Sequence, residues 1–258
     1  MRWLKMKKET KEYDVHLVSH ENKEILVADK EFLFTYDDIP KDKEFLFAYN
    51  ELHNKRENVE LRIPSSAETA SIVYSTIEGK ENFHYYLNQL VTQGRSLARG
   101  LFEYSGNLFL PKSNEEVNNG VIIDLNLKPK FYDGQLVMNK KDLVARLQNN
   151  DSSVKFVPFG FKVGEQSFFE LKNNPYLIAR YGDEGAEKIA SFATHPKHGY
   201  FLWRKPYLEI PSSVKWEITG ISGLFGGSEN GPQLGIGLAG KGIRAWGQIY
   251  GVLKKVDN

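Results

Sequence analysis

At 258 residues, with 41% hydrophobic and 26% charged side chains, the chain can bury a sizeable core as one large domain or two small ones and is far from a disordered composition. A formal net charge of +1 provides no global field to gather nucleic acid or an anionic membrane, and the absence of cysteine excludes disulfides, thiolate metal sites, iron–sulfur clusters and cysteine nucleophiles. No uncharged apolar run of about 20 residues occurs, and the opening MRWLKMKKETKEYD has no apolar run behind it. The expectation is a soluble, cytoplasmic protein without a secretory leader.

In chain order, the first third reads as β-rich. YDVHLVS, EILVAD, EFLFTY, EFLFAY, VELRIP and ASIVYST are short runs heavy in Val, Ile, Phe and Tyr, separated by charged turns, and each is a predicted strand. KEFLFTYDD (Lys30 to Asp38) and KEFLFAYNE (Lys43 to Glu51) repeat each other, with DIPKDK between them as a hairpin loop. ENFHYYLNQLVTQGRSLARGLFEY then spaces Phe83, Leu87, Leu90, Val91, Leu97, Ala98 and Leu101 with helical periodicity, which predicts an amphipathic helix over 81–104 with Arg95 and Arg99 on one face.

NLFLP and VIIDLNL follow as strands. Asn139, three residues before Asp142, caps a helix over KKDLVARLQ. VKFVPFGFKVGEQSFFEL is strand-like; Asn174-Pro175 opens the helix YLIARYG, and Asp183 opens a second, EGAEKIASFAT, which His195-Pro196 ends. YFLWRKPYLEIP and VKWEITGISGLF are strands. Strands and helices without regular alternation predict an α+β fold, β-rich with a few helices, rather than a doubly wound one. Lys112 to Asn119 (KSNEEVNN) is the best boundary. It separates a β-rich part with one long helix (1–112) from an α+β part (113–258), although a single domain fits equally.

The chain closes on GPQLGIGLAGKGIRAWGQIYG, Gly231 to Gly251, and eleven of its 22 glycines fall between Gly220 and Gly251. Gly235, Gly237 and Gly240 match G-x-G-x-x-G, and Gly235 to Lys241 match G-x-x-x-x-G-K. A dinucleotide site also needs a helix and a second strand with an acidic residue, and only eighteen residues follow Gly240. A P-loop needs Ser or Thr after its Lys, where this chain has Gly242. No nucleotide and no other cofactor is therefore expected. Two readings remain: strands with bare faces that pack against other backbone, or exposed main chain that meets an anionic polymer. For the second, Gly235, Gly237, Gly240 and Gly242 permit backbone approach, Lys241 and Arg244 neutralise phosphate, and Trp246 stacks on an unpaired base. Residues 190–258 carry eight Lys or Arg against four Asp or Glu, a local charge of +4.

LGIGLAGKGIRAWGQIYG resembles the glycine-rich loop of RAMP proteins, the RNA-binding subunits and endonucleases of CRISPR systems. Arg244, Ala245, Trp246 and Gly247 match that loop's ending of a basic residue, a small residue, an aromatic and a glycine, with Ala245 where the family usually has glycine. L-x-I-P-S-S, at Leu61 to Ala67 and again at Leu208 to Val214, is similar to a Pro-Ser-Ser turn of some members. The resemblance implies ferredoxin-like (RRM-like) subdomains, RNA as partner and other protein subunits in a larger ribonucleoprotein.

Catalytic signals are sparse. His16 and His20 share one side of a strand, but two ligands without a third make no metal site, and they read as exposed edge histidines. THPKHGYF brings His195, His198 and Tyr200 together in a turn, the residue types for metal-independent RNA cleavage through the 2′-hydroxyl. The competing reading is a loop that ends a helix. RNA binding by the glycine tract is thus the leading reading; a non-catalytic assembly protein and a metal-independent ribonuclease are the alternatives.

Overall fold

The structure, a computed structural model, describes residues 15–34, 59–62, 64–75, 77, 100–128, 131–132, 135–194, 206–228, 231–239 and 247–255. β1 (Val15–His20) and β2 (Lys23–Phe34) form a hairpin. Its two-residue turn holds Glu21 and Asn22 at φ 47° and 61°, the left-handed pair that matches strand twist. β2 runs EILVAD and EFLF together as a single strand. The repeat's second copy lies outside the described residues. β3 is Val59–Arg62.

The next element departs from expectation. Residues 70–75 of the expected strand ASIVYST fall in α1 (Ser66–Ser75), a helix and not a strand. Ser65 and Glu68 make a reciprocal cap: the Ser65 hydroxyl accepts from the Glu68 amide at 3.2 Å, and the Glu68 carboxylate accepts from the Ser65 amide at 2.9 Å. Burial of Ala70, Ile72 and Val73 then overrides their β-branched neighbourhood. β4 (Gly100–Leu110) is a second correction, since residues 100–104 close the expected helix but lie in a strand. The rest of that helix, with Arg95 and Arg99, falls outside the described residues.

β5 (Gly120–Asp124) precedes the short pair β6 (Phe131–Tyr132) and β7 (Gln135–Leu136). α2 (Lys140–Gln148) begins at the expected cap, with the Asn139 side chain accepting from the Asp142 amide at 3.3 Å. After β8 (Val154–Pro158) and β9 (Gly164–Glu165), SFFEL is again helix and not strand. α3 (Phe168–Lys172) starts on a capping box of Ser167 and Glu170. α4 (Pro175–Thr194) consists of two helical segments broken at Gly182, where the sequence placed the junction. β10 (Tyr207–Glu209), β11 (Ile218–Ser228), β12 (Gly231–Ala239) and β13 (Gly247–Lys255) complete the chain.

Eleven strands join in one sheet along the path β1-β2-β13-β4-β11-β12-β10-β9, with β3 also on β13 and β5-β8 branching from β4. The β13–β4 and β10–β12 pairs are parallel and the others antiparallel. Strands from both sides of residue 112 therefore alternate in one sheet. The α+β class is the observed one.

Side chains alternate between two cores. On one face Phe109, Val121 and Ile123 pack with α1 and α4 through Ile72, Tyr176, Leu177 and Ile189. On the other, Leu108, Leu110 and Ile122 pack with Leu143 of α2. Burial on both faces is why VIID reads as a continuous apolar run instead of an alternation.

Candidate functional site

The glycine tract is divided by the sheet. Gly235 pairs with Phe225 of β11 on one side and Tyr207 of β10 on the other, and Gly237 pairs with Gly223 and Glu209. Strand pairing engages this backbone on both sides, and Ile236 between them is fully buried. Open main chain for a polymer does not occur at these two glycines. Gly240, Lys241, Gly242, Arg244 and Trp246 lie outside the described residues, as do His195, His198 and Tyr200.

A polar cleft of about 220 Å³ lies instead where α1, α4 and the end of β1 meet. Two local features build it. Gly182 has φ 75° and ψ 170°, a conformation open to little besides glycine, and it turns the chain between the two segments of α4. Gly185 then lets α4 approach α1: a Cβ there would sit 2.8 Å from Tyr181 Cβ and 3.5 Å from Ala70 Cβ. Small residues at this contact bring Ser71 of α1 up to Lys188 of α4.

The Ser71 hydroxyl is 2.9 Å from Lys188 Nζ and 3.0 Å from His20 Nδ1. Lys188 also bonds Glu184 at 2.5 Å, one helical turn away, and the Glu184 carboxyl is held below its usual range by that ammonium. The other ring nitrogen of His20, Nε2, is 3.9 Å from the Glu21 carboxylate. His20 is not the exposed edge histidine its position predicts: its side chain is 14% exposed, because α1 covers this end of β1. Glu21, Asp183 and Glu184 give the rim an acidic character.

Tyr181 forms part of the cleft wall and connects it to a buried polar network. Its hydroxyl donates to Glu103 at 2.6 Å, and Arg180 Nε donates to the same carboxylate at 2.9 Å. Both ions of this pair are fully buried. Burial works to lower the Arg180 guanidinium, but the adjacent Glu103 carboxylate outweighs it and holds the group above its ordinary value. Burial pushes the Tyr181 phenol well up, so it stays a proton donor. The remaining guanidinium nitrogens of Arg180 have no hydrogen-bond partner, and the group lies 4.8 Å from the Tyr181 ring centroid. Such stacking recovers part of the desolvation cost. Further in, Tyr176 donates to Asn107 at 2.9 Å and Asn107 to Ser222 at 2.7 Å.

Sequence reading missed this cleft because its members are far apart, 51 residues for His20–Ser71 and 117 for Ser71–Lys188. Only the Gly182–Gly185 junction was legible. Among the described residues no group of three or more His, Asp or Glu could hold a metal, and no helix is long and apolar enough to cross a membrane.

No protein-family profile matches the chain, and no curated protein matches it. A solved structure described as "Accommodation of massive sequence variation in Nanoarchaeota by the C-type lectin fold" aligns with 78% of this chain and 100% of its own, at 15% identity and a TM-score of 0.39. A superposition that loose bears on neither fold nor function.

Proposed function

We propose that this chain is a cytoplasmic RNA-binding protein, a subunit of a CRISPR-type ribonucleoprotein, whose contacts lie in residues 240–246 between β12 and β13. The observation that supports the reading is the anchoring of that segment. It leaves β12, which is held between β11 and β10, and enters β13, which is held between β2 and β4. Recognition residues gain most from a rigid frame at both ends. Lys241 and Arg244 supply cations and Trp246 a stacking surface. The backbone of Gly235 and Gly237 has no part in it, because sheet pairing engages both residues on each side.

Binding to a single-stranded RNA, followed by fluorescence anisotropy over a range of salt, tests this. Lys241→Ala and Arg244→Ala should each lower affinity and flatten the logarithmic salt slope by about 0.7. Trp246→Ala should cost about 1–3 kcal/mol. Binding that is absent, or insensitive to salt and to all three changes, refutes the reading. A second reading, an assembly protein, is favoured by Tyr132, Phe169 and Trp216, which are 79%, 73% and 68% exposed. It predicts a concentration-dependent mass in solution and little response to salt.

A further inference from the structure

We infer that Ser71 is a nucleophile, with His20 as its base, and that the cleft takes a short-chain carboxylic ester of a neutral or cationic alcohol. The direction of the hydrogen bonds carries the inference. A lysine ammonium has donors only, so in the 2.9 Å Lys188–Ser71 contact the serine oxygen accepts. In the tautomer that carries its proton on Nε2, His20 presents the Nδ1 lone pair, 3.0 Å away, to the serine proton. That leaves the ring proton on Nε2, facing the Glu21 carboxylate at 3.9 Å, which favours this tautomer and the imidazolium that forms later. A hydroxyl that donates to a neutral imidazole and accepts from a fixed cation is an activated one.

The surroundings suit the chemistry. Glu184 holds the Lys188 ammonium in place at 2.5 Å. Lys188 is positioned there to stabilise charge on oxygen. Ser71 is 2% exposed, and it lines the cleft. A volume of about 220 Å³ admits a small acyl group and its alcohol and little more. Glu21, Asp183 and Glu184 at the rim disfavour an anionic substrate.

The reaction balances with water as the only co-reactant. Ser71 Oγ bonds to the acyl carbon as its proton passes to His20 Nδ1, and the carbonyl electron pair moves to oxygen beside the Lys188 ammonium. The intermediate collapses, the bond to the alcohol oxygen breaks, and the alcohol leaves with the proton from His20. Water then adds to the acyl-serine by the same route. It releases the carboxylic acid and restores Ser71.

The full-length chain treated with a fluorophosphonate probe and digested for mass spectrometry decides the matter. The expected result is one adduct, on the peptide that contains Ser71. With p-nitrophenyl acetate, a burst of about one equivalent of nitrophenol should accompany it. His20→Ala should slow adduct formation about 100-fold or more, with partial rescue by added imidazole. Lys188→Met should slow it while leaving the modified residue unchanged. No adduct at Ser71 in the folded wild-type chain overturns the inference, as does labelling spread over serines at the level of the urea-unfolded chain. Because the readout is on the wild-type protein, a variant that fails to fold does not obscure it. Neither outcome depends on RNA binding.

Discussion

At the scale of single residues, the strongest constraint is the pair Arg180–Glu103. With both side chains fully buried, removing one charge leaves the other without a counter-ion in a medium that solvates it poorly. Glu103→Gln should therefore destabilise the protein by about 3–5 kcal/mol in urea titration at neutral pH. Replacing both partners, Glu103→Leu with Arg180→Met, should recover most of that loss, because a matched apolar pair carries no desolvation penalty. If the double variant is no more stable than the single one, the network's hydrogen bonds rather than its charges hold this region. Neither residue is conspicuous in the sequence: Glu103 sits in a run that reads as the end of a helix, and Arg180 within the helix YLIARYG.

At the scale of elements, short polar caps decide what apolar content leaves open. L-x-I-P-S-S occurs twice, and only the first copy leads into a helix. After the first, Glu68 completes the box with Ser65; after the second, Val214, Lys215 and Trp216 offer no equivalent carboxylate, and the chain stays irregular until β11. Ser65→Ala should thus cost about 1 kcal/mol, whereas the corresponding Ser212→Ala should be silent within error, both read from denaturant midpoints. α3 shows the same device with a titration attached. The Lys162 ammonium and the Ser167 donors pull the Glu170 carboxyl down to about 2. A depressed carboxyl stabilises the fold above its unfolded value near 4.5 and loses that contribution as pH falls toward 2. The Ser167 amide resonance should shift with a midpoint near 2, and Glu170→Gln should abolish that shift. Both capping boxes were present in the sequence as S-x-x-E. Val, Ile and Phe around them argued for strands, and the local polar signal proved the better guide.

At the scale of the whole molecule, the central sheet couples the two ends of the chain. β4, which precedes residue 112, pairs with β5, β11 and β13, all of which follow it. Residues 113–258 expressed alone would leave those three strands without the one that unites them. That fragment should show little dispersed amide signal by NMR, while the intact chain should unfold in one transition by circular dichroism. A well-folded fragment would mean that the sheet is two independent units.

By itself the sequence determined the α+β class, most strand positions after residue 100, the caps at Asn139 and Asn174, and the break at Gly182. Each depends on contacts within a few residues or on alternation along one segment. Composition also excluded cysteine chemistry, and the residues after Gly240 removed the nucleotide-loop reading of the glycine tract. Tertiary structure alone decided that Gly235 and Gly237 are interior, and that His20, Ser71 and Lys188 share a cleft. Those outcomes depend on which distant segments share a surface, and hydrogen-bond partners recruited across 51 and 117 residues leave no periodicity for a sequence to display.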